Sequence, residues 1–105
     1  MATIEGDFYS WSEENVNKVQ EKPAKYELYD ESRLLLYIGS TGNLSERFKH
    51  YLSTDFDGNP CKRRTRSYKR QYVNTEQEAK RLEEENLKEY QARYGKLPSC
   101  NERIG

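Results

Sequence analysis

Leu34-Leu35-Leu36-Tyr37-Ile38-Gly39 holds the longest apolar run in the chain and closes on a glycine. A run this short, followed by a glycine, reads as a strand and not as a helix. Before it lies the polar stretch Asp30-Glu31-Ser32-Arg33, and before that a second strand-like run over residues 25–29, with Tyr26 and Tyr29 on either side of Leu28. The two runs pair as a hairpin around the polar stretch. Gly39 is read as the turn that leads out of the second strand into a helix.

Working outward, three segments begin with a small polar residue followed three places on by Glu, a pattern that satisfies free amides at a helix start. They are Ser10 to Glu13, Asn43 to Glu46 and Thr75 to Glu78. The first predicts a short helix ending before Pro23, the second a helix reaching Leu52, and the third a long helix to Tyr94, stopped by Gly95 and Pro98. Residues 67–73 offer a third strand with weak alternation. The expected fold is therefore α/β of the α+β type, a small three-stranded antiparallel sheet flanked by helices. One domain covers residues 1–105, with a core at 24–101 and an N-terminal helical extension at 10–22.

Helix phase selects candidate site residues. With Leu44 at zero and each residue advancing about 100°, Phe48 and Leu52 fall at about 40° and 80°, and Arg47 and Tyr51 at about 300° and 340°. Leu44, Phe48 and Leu52 are thus the expected buried stripe, with Arg47 and Tyr51 along its edge and His50 in solvent. With Ala79 at zero, Leu82, Leu87, Tyr90 and Tyr94 fall at about 300°, 80°, 20° and 60°. Glu83 falls at about 40°, inside that stripe, whereas Glu84 and Glu85 fall at about 140° and 240°. A carboxylate on a buried face is costly unless paired, hydrogen-bonded or bound to a cation. An internal ion pair or a tyrosine hydroxyl is one solution for Glu83, and a metal ion another.

Composition sets the limits. Leu, Ile, Val and Phe number 18 of 105 residues, a low share, but nine tyrosines supply further apolar rings with polar tips. Formal net charge is zero. Positive charge nevertheless gathers in and after a loop at 54–66, as Lys62, Arg63, Arg64, Arg66, Lys69 and Arg70, while the third helix carries Glu76, Glu78, Glu83, Glu84, Glu85 and Glu89. That basic stretch either pairs with the acidic helix or binds nucleic-acid phosphates. One histidine and two distant cysteines exclude a zinc finger, and free thiols in a reducing compartment are expected ahead of a Cys61–Cys100 disulfide. With no charged-then-apolar leader and no long apolar run, a cytoplasmic, soluble protein is expected.

Two tyrosines on adjacent strands, Tyr26 and Tyr37, then Arg47 ten residues on and Tyr51 one helical turn later, resemble the pattern of the GIY-YIG nuclease family. Glu83 in Ala79-Lys80-Arg81-Leu82-Glu83 and Asn101 after the long helix fill that pattern's last two places. Two departures stand out: Ala24-Lys25 replaces the usual Gly-Ile, and Ser40 stands where the excision-repair branch resembles a lysine-bearing variant. The resemblance implies a metal-dependent endonuclease hydrolysing phosphodiester bonds, with DNA ahead of RNA as partner and one Mg²⁺ or Mn²⁺ on Glu83. It further implies that Arg47 clamps phosphate oxygens, Tyr26 accepts the proton of the attacking water, Tyr37 orients water or phosphate, Tyr51 completes the network and Asn101 orders the site. A tyrosine base is demanding, since bringing its pKa from about 10 to neutrality takes roughly 4 kcal/mol. A role in DNA repair or a mobile element follows from the same likeness, with a protein partner or self-association supplying specificity. The alternative is a nucleic-acid-binding module of the same fold that cleaves little.

Overall fold

The computed structural model describes residues 8–102. The elements run β1 (Tyr9–Ser10), α1 (Glu13–Val16), β2 (Ala24–Tyr29), β3 (Leu35–Thr41), α2 (Leu44–Thr54), β4 (Ser67–Tyr72) and α3 (Glu76–Tyr94), with two 3₁₀ turns, Phe56–Gly58 and Lys62–Arg64, between α2 and β4. The sheet is antiparallel in the order β1-β4-β2-β3. The three expected strands form its body, and a two-residue strand, β1, is added at one edge. The segment expected as an N-terminal helix over 10–22 thus contains a strand residue, Ser10, and a helix of one turn. Its cap is Ser12, whose Oγ accepts from the Asn15 amide at 3.1 Å, instead of Ser10.

The other two caps are as expected. Asn43 accepts from the Glu46 amide at 3.0 Å, and Thr75 accepts from the Glu78 amide at 3.1 Å. Gly95 ends α3 in the left-handed region at φ 74. The hairpin loop is tied by Asp30, whose Oδ1 accepts from the Ser32 and Leu34 amides at 2.8 and 2.9 Å. Leu34 belongs to that loop and is exposed; a register shift opposite Leu28 and Tyr29 then lets β3 begin at Leu35.

Gly39 is not a turn. It lies inside β3, opposite Tyr26 in the register, and the chain turns only after Thr41. A strand keeps a glycine where another group comes too close for a side chain. Here a Cβ on Gly39 would stand 2.5 Å from Tyr26 Cζ, 2.6 Å from its hydroxyl oxygen and 2.6 Å from Tyr37 Cε2.

Strand alternation splits β2 between two layers. Ala24, Tyr26 and Leu28 join Leu44, Phe48, Tyr51, Phe56 and Tyr68 in an aromatic core under α1 and α2, with Trp11 edge-on to Phe48 at 5.0 Å. Lys25, Glu27 and Tyr29 face the other way, where α3 packs over β2 and β3. That second layer holds a buried polar cluster. Lys25 donates to Asn86 in a short hydrogen bond and lies 3.9 Å from Glu27, which accepts from the Tyr29 hydroxyl at 2.6 Å. Two side chains of the expected stripes are outside: Leu52 at 36% and Tyr94 at 55% exposure. The buried side of α2 takes in Leu44, Ser45, Phe48 and Tyr51, and Phe56 from the following turn stacks on Tyr51 at 5.0 Å.

The expectation of free thiols is corrected. Cys61 and Cys100 form a disulfide across 39 residues, their Cα atoms 5.6 Å apart. The Cys100 amide donates to the Leu36 carbonyl at 2.7 Å, which lays the segment after α3 along β3, within reach of the loop after α2. Among the described residues, no helix is long and apolar enough to cross a membrane.

Candidate active site

The β3 edge of the sheet is where the two layers meet. Tyr26 and Tyr37 point to the α2 side and Ser40 to the α3 side, so one strand serves both helices. Tyr26 is fully buried, its hydroxyl 2.8 Å from that of Tyr51 and 3.5 Å from Arg47 Nη1. Burial pushes the Tyr26 phenol well above its usual range, Tyr51 and Tyr37 push the same way, and Arg47 opposes them. Burial disfavours the charge of Arg47, yet Tyr26 and Tyr51 outweigh it and raise that group further.

Of the clustered tyrosines Tyr26, Tyr37 and Tyr51, Tyr37 is the one that meets solvent. It borders an open cleft of about 320 Å³, together with Lys62, Glu83, Asn101 and Glu102. Its phenol is pushed up to about 12, by burial first and then by Tyr51 and Glu83, while Arg47 and a hydrogen bond with Tyr26 act in the opposite sense. Across the cleft, Glu83 is half-buried, and its Oε1 accepts from Ser40 Oγ at 2.6 Å. The helix phase that singled it out is thus correct in direction, although Glu84 is half-buried too. The alternative of an internal ion pair is absent: among the described residues, no basic group lies within 4.0 Å of Glu83.

Asn101 lines the cleft without offering its amide to it. Its Oδ1 accepts from the Ile38 amide and its Nδ2 donates to the Ile38 carbonyl, both at 3.0 Å. One side chain thereby does the work of a neighbouring strand at an open sheet edge, and it fixes the backbone between Tyr37 and Gly39. Arg47 sits at the tyrosine cluster and opens on a second cleft of about 440 Å³, lined also by Thr41, Asn43, Glu46, His50 and Glu76.

A family model described as a UvrC-like GIY-YIG domain matches residues 22–96. The chain belongs to the UvrC-like GIY-YIG family. Two curated relatives, both named UvrABC system protein C, are 35% identical over 80 residues in Porphyromonas gingivalis and 27% identical over 81 residues in Rickettsia bellii. These matches take in 73% and 75% of the chain but only 13% of each relative, so the chain spans about an eighth of their length. The solved GIY-YIG N-terminal endonuclease domain of UvrC from Thermotoga maritima, a point mutant bound to its catalytic divalent cation, matches with a TM-score of 0.67. That match has 22% identity over 86% of this chain and 93% of that one, and it shows a common fold.

The six residues singled out from the sequence fall in two groups, Tyr26, Tyr51 and Arg47 in the tyrosine cluster and Tyr37, Glu83 and Asn101 on the cleft of about 320 Å³. The six basic residues do not behave as one patch. Arg63 pairs with Asp55 at 2.7 Å, Arg64 lies 3.5 Å from Asp30, and Arg66 donates to the Arg63 and Thr65 carbonyls. Lys69 lies over Phe8 and Arg70 over Tyr9 and Tyr72. The partners of Arg63 and Arg64 are therefore loop and hairpin carboxylates, in place of the acidic helix considered from sequence. Lys62 alone of the six lines the cleft. The sequence reading missed its separation from the others, and the Ser40 bond to Glu83 as well. Strand alternation carries a signal for Ser40, two residues on from Ile38 on the α3 side.

The donor set fits a hard divalent ion that keeps most of its water. Glu83 supplies carboxylate oxygen in a polar cleft and lacks a competing cation among the described residues. No group of three or more His, Cys, Asp or Glu able to hold a metal occurs among those residues, so a closed all-protein cage is not formed.

Proposed function

We propose that this domain hydrolyses phosphodiester bonds in DNA as an endonuclease, with a single Mg²⁺ or Mn²⁺ held by Glu83. The observation that carries the reading is Glu83 itself: a half-buried carboxylate without an ion-pair partner among the described residues, braced by Ser40, on the same cleft as Tyr37. A divalent ion there supplies Lewis-acid neutralisation of charge on the phosphate oxygens. The Thermotoga maritima domain binds such a cation, and the relatives bear the name of the UvrABC system, which supports a DNA-directed role in excision repair.

The remaining chemistry belongs to the chain. In this reading Tyr37 takes the proton of an attacking water in place of Tyr26, a role supported by Tyr37 bordering the cleft while Tyr26 is buried. Tyr26 acts behind it. Its hydroxyl accepts from Arg47 at 3.5 Å and shares a 2.8 Å bond with that of Tyr51, and the charge of Arg47 held there favours the Tyr37 oxygen that must become anionic. Arg47 also presents charge to phosphate oxygens from the second cleft. Asn101 sets the backbone on which Tyr37 stands.

The test is cleavage of duplex, single-stranded and branched DNA with Mg²⁺ or Mn²⁺, comparing the parent with Glu83→Gln and Arg47→Ala. We expect metal-dependent cutting that falls at least about a hundredfold in Glu83→Gln while gel-shift binding persists. A parent that binds DNA in a salt-sensitive way and cuts none of these substrates in either metal overturns the nuclease reading in favour of a binding module.

A further inference from the structure

We propose that Lys62 is a substrate-phosphate ligand of the reaction cleft itself, and that the Cys61–Cys100 disulfide holds it there, so that the domain works fully only when oxidised. The proposal rests on the nuclease reading for its kinetic consequence and on the geometry alone for phosphate binding.

Lys62 is set apart from the rest of the basic stretch by where its charge goes. Its Nζ lies 4.0 Å from the centre of the Tyr37 ring and 5.6 Å from that of Tyr51, on the cleft that Glu83 also borders. No carboxylate lies within 4.0 Å of it among the described residues, whereas Arg63 and Arg64 have theirs. A lysine packed on an aromatic face still has N–H donors pointing away from the ring for a further acceptor. At this cleft the acceptor of matching chemistry is a phosphodiester oxygen.

The backbone under Lys62 is built to stay put. Asn59 Oδ1 accepts from the Cys61 and Lys62 amides at 3.0 and 3.1 Å, and the Lys62 carbonyl accepts from the Thr65 hydroxyl at 2.7 Å. These bonds shape a single 3₁₀ turn, which by itself carries little cooperative stability. The disulfide then fastens the residue before Lys62 to the residue before Asn101. Lys62 and Asn101 stand on the same cleft, and Asn101 grips β3 at Ile38, next to Tyr37. One covalent link thus spans the two segments that wall the cleft. A dithiol reductant opens it: two electrons and two protons pass to the protein to give two thiols, and the reductant becomes its own cyclic disulfide. The turn bearing Lys62 is then held to that wall by non-covalent contacts only.

The experiment compares the parent, Lys62→Met, Lys62→Arg and Lys88→Ala, and the parent before and after reduction by dithiothreitol, with free thiols titrated and folding checked by circular dichroism. Duplex DNA binding is measured in EDTA across a salt series, and single-turnover cleavage with Mg²⁺. We expect Lys62→Met to reduce the salt slope of binding by about one counterion and the cleavage rate roughly tenfold or more, with Lys62→Arg partly restoring both. Lys88→Ala, on the exposed side of α3, is expected to leave both the salt slope and the rate unchanged. The reduced parent is expected to resemble Lys62→Met and to recover on reoxidation.

If Lys62→Met binds and cleaves as the parent does, the assignment of Lys62 is wrong, whereas the nuclease reading stands. If the reduced protein titrates two thiols and keeps the parent's rate and salt slope, the role of the disulfide is refuted. If no form cleaves but Lys62→Met still lowers the salt slope, the nuclease reading fails and Lys62 is retained as a phosphate ligand.

Discussion

Replacing Gly39 by alanine adds one methyl group at the point where the sheet and the tyrosine cluster are closest. That Cβ would stand 2.5 Å from Tyr26 Cζ and 2.6 Å from both the Tyr26 hydroxyl oxygen and Tyr37 Cε2. Carbon atoms settle at about 3.5–4.0 Å, so the rings must withdraw by about 1 Å. Tyr37 borders solvent and can yield. Tyr26 is fully buried, edge-on to Phe48 at 5.3 Å, and has nowhere to go without moving the core. A shift of that size also carries the 2.8 Å Tyr26–Tyr51 bond out of range. Overpacking of a filled core costs about 1–3 kcal/mol, which for a domain of this size lowers Tm by roughly 5–20 °C. Activity is expected to fall further than stability, by roughly a hundredfold, because displacement of positioning groups by about 1 Å is enough for that. Thermal unfolding followed by circular dichroism, with cleavage measured well below the variant's Tm, tests both parts. A Gly39→Ala protein that melts within about 2 °C of the parent and cleaves at the parent's rate would refute the close-approach argument.

Asn101→Ala removes two hydrogen bonds to Ile38 and is expected to cost about 2 kcal/mol, read as a lower urea midpoint at unchanged m; a midpoint equal to the parent's contradicts the edge-capping role. Ser40→Ala frees Glu83 to rotate, and we expect the Mg²⁺ concentration for half-maximal cleavage to rise about tenfold or more, with Ser40→Thr closer to the parent. An unchanged metal requirement in Ser40→Ala counts against that support. Alkaline stability follows from the tyrosines: burial, the largest cause in each case, raises Tyr26, Tyr29, Tyr37 and Tyr68, the last two to about 12. Above pH about 10 the unfolded chain releases protons that the folded one keeps, so stability is complete below pH about 10 and falls above it by about 1.4 kcal/mol per pH unit for each such tyrosine. Denaturant titrations from pH about 8 to about 11, with tyrosinate absorbance recorded alongside, check this; stability that stays level while all the tyrosines ionise in the folded protein near pH about 10 contradicts it.

Much of this molecule is written in short-range rules that the sequence carries by itself. Asn43 and Thr75 before their helices, Gly95 after α3 and Asp30 in the hairpin act within four residues along the chain, so their bonds are readable without a fold. Helix phase brought Glu83 inward and put Arg47 beside Tyr51, since a regular helix converts spacing into direction. Phase could not tell that Leu52 and Tyr94 lie outside, because that depends on where the opposing layer ends. Nor could it tell that Ser10 pairs with Ser67 in the sheet, a partner far along the chain. Only the tertiary structure decided which tyrosine meets the cleft, why residue 39 must lack a side chain, and that Lys62 and Asn101 share one wall through the Cys61–Cys100 bond. Each of these depends on distances between residues remote in sequence, and such distances are fixed only when the strands have chosen their partners and the two helical layers have closed over the sheet.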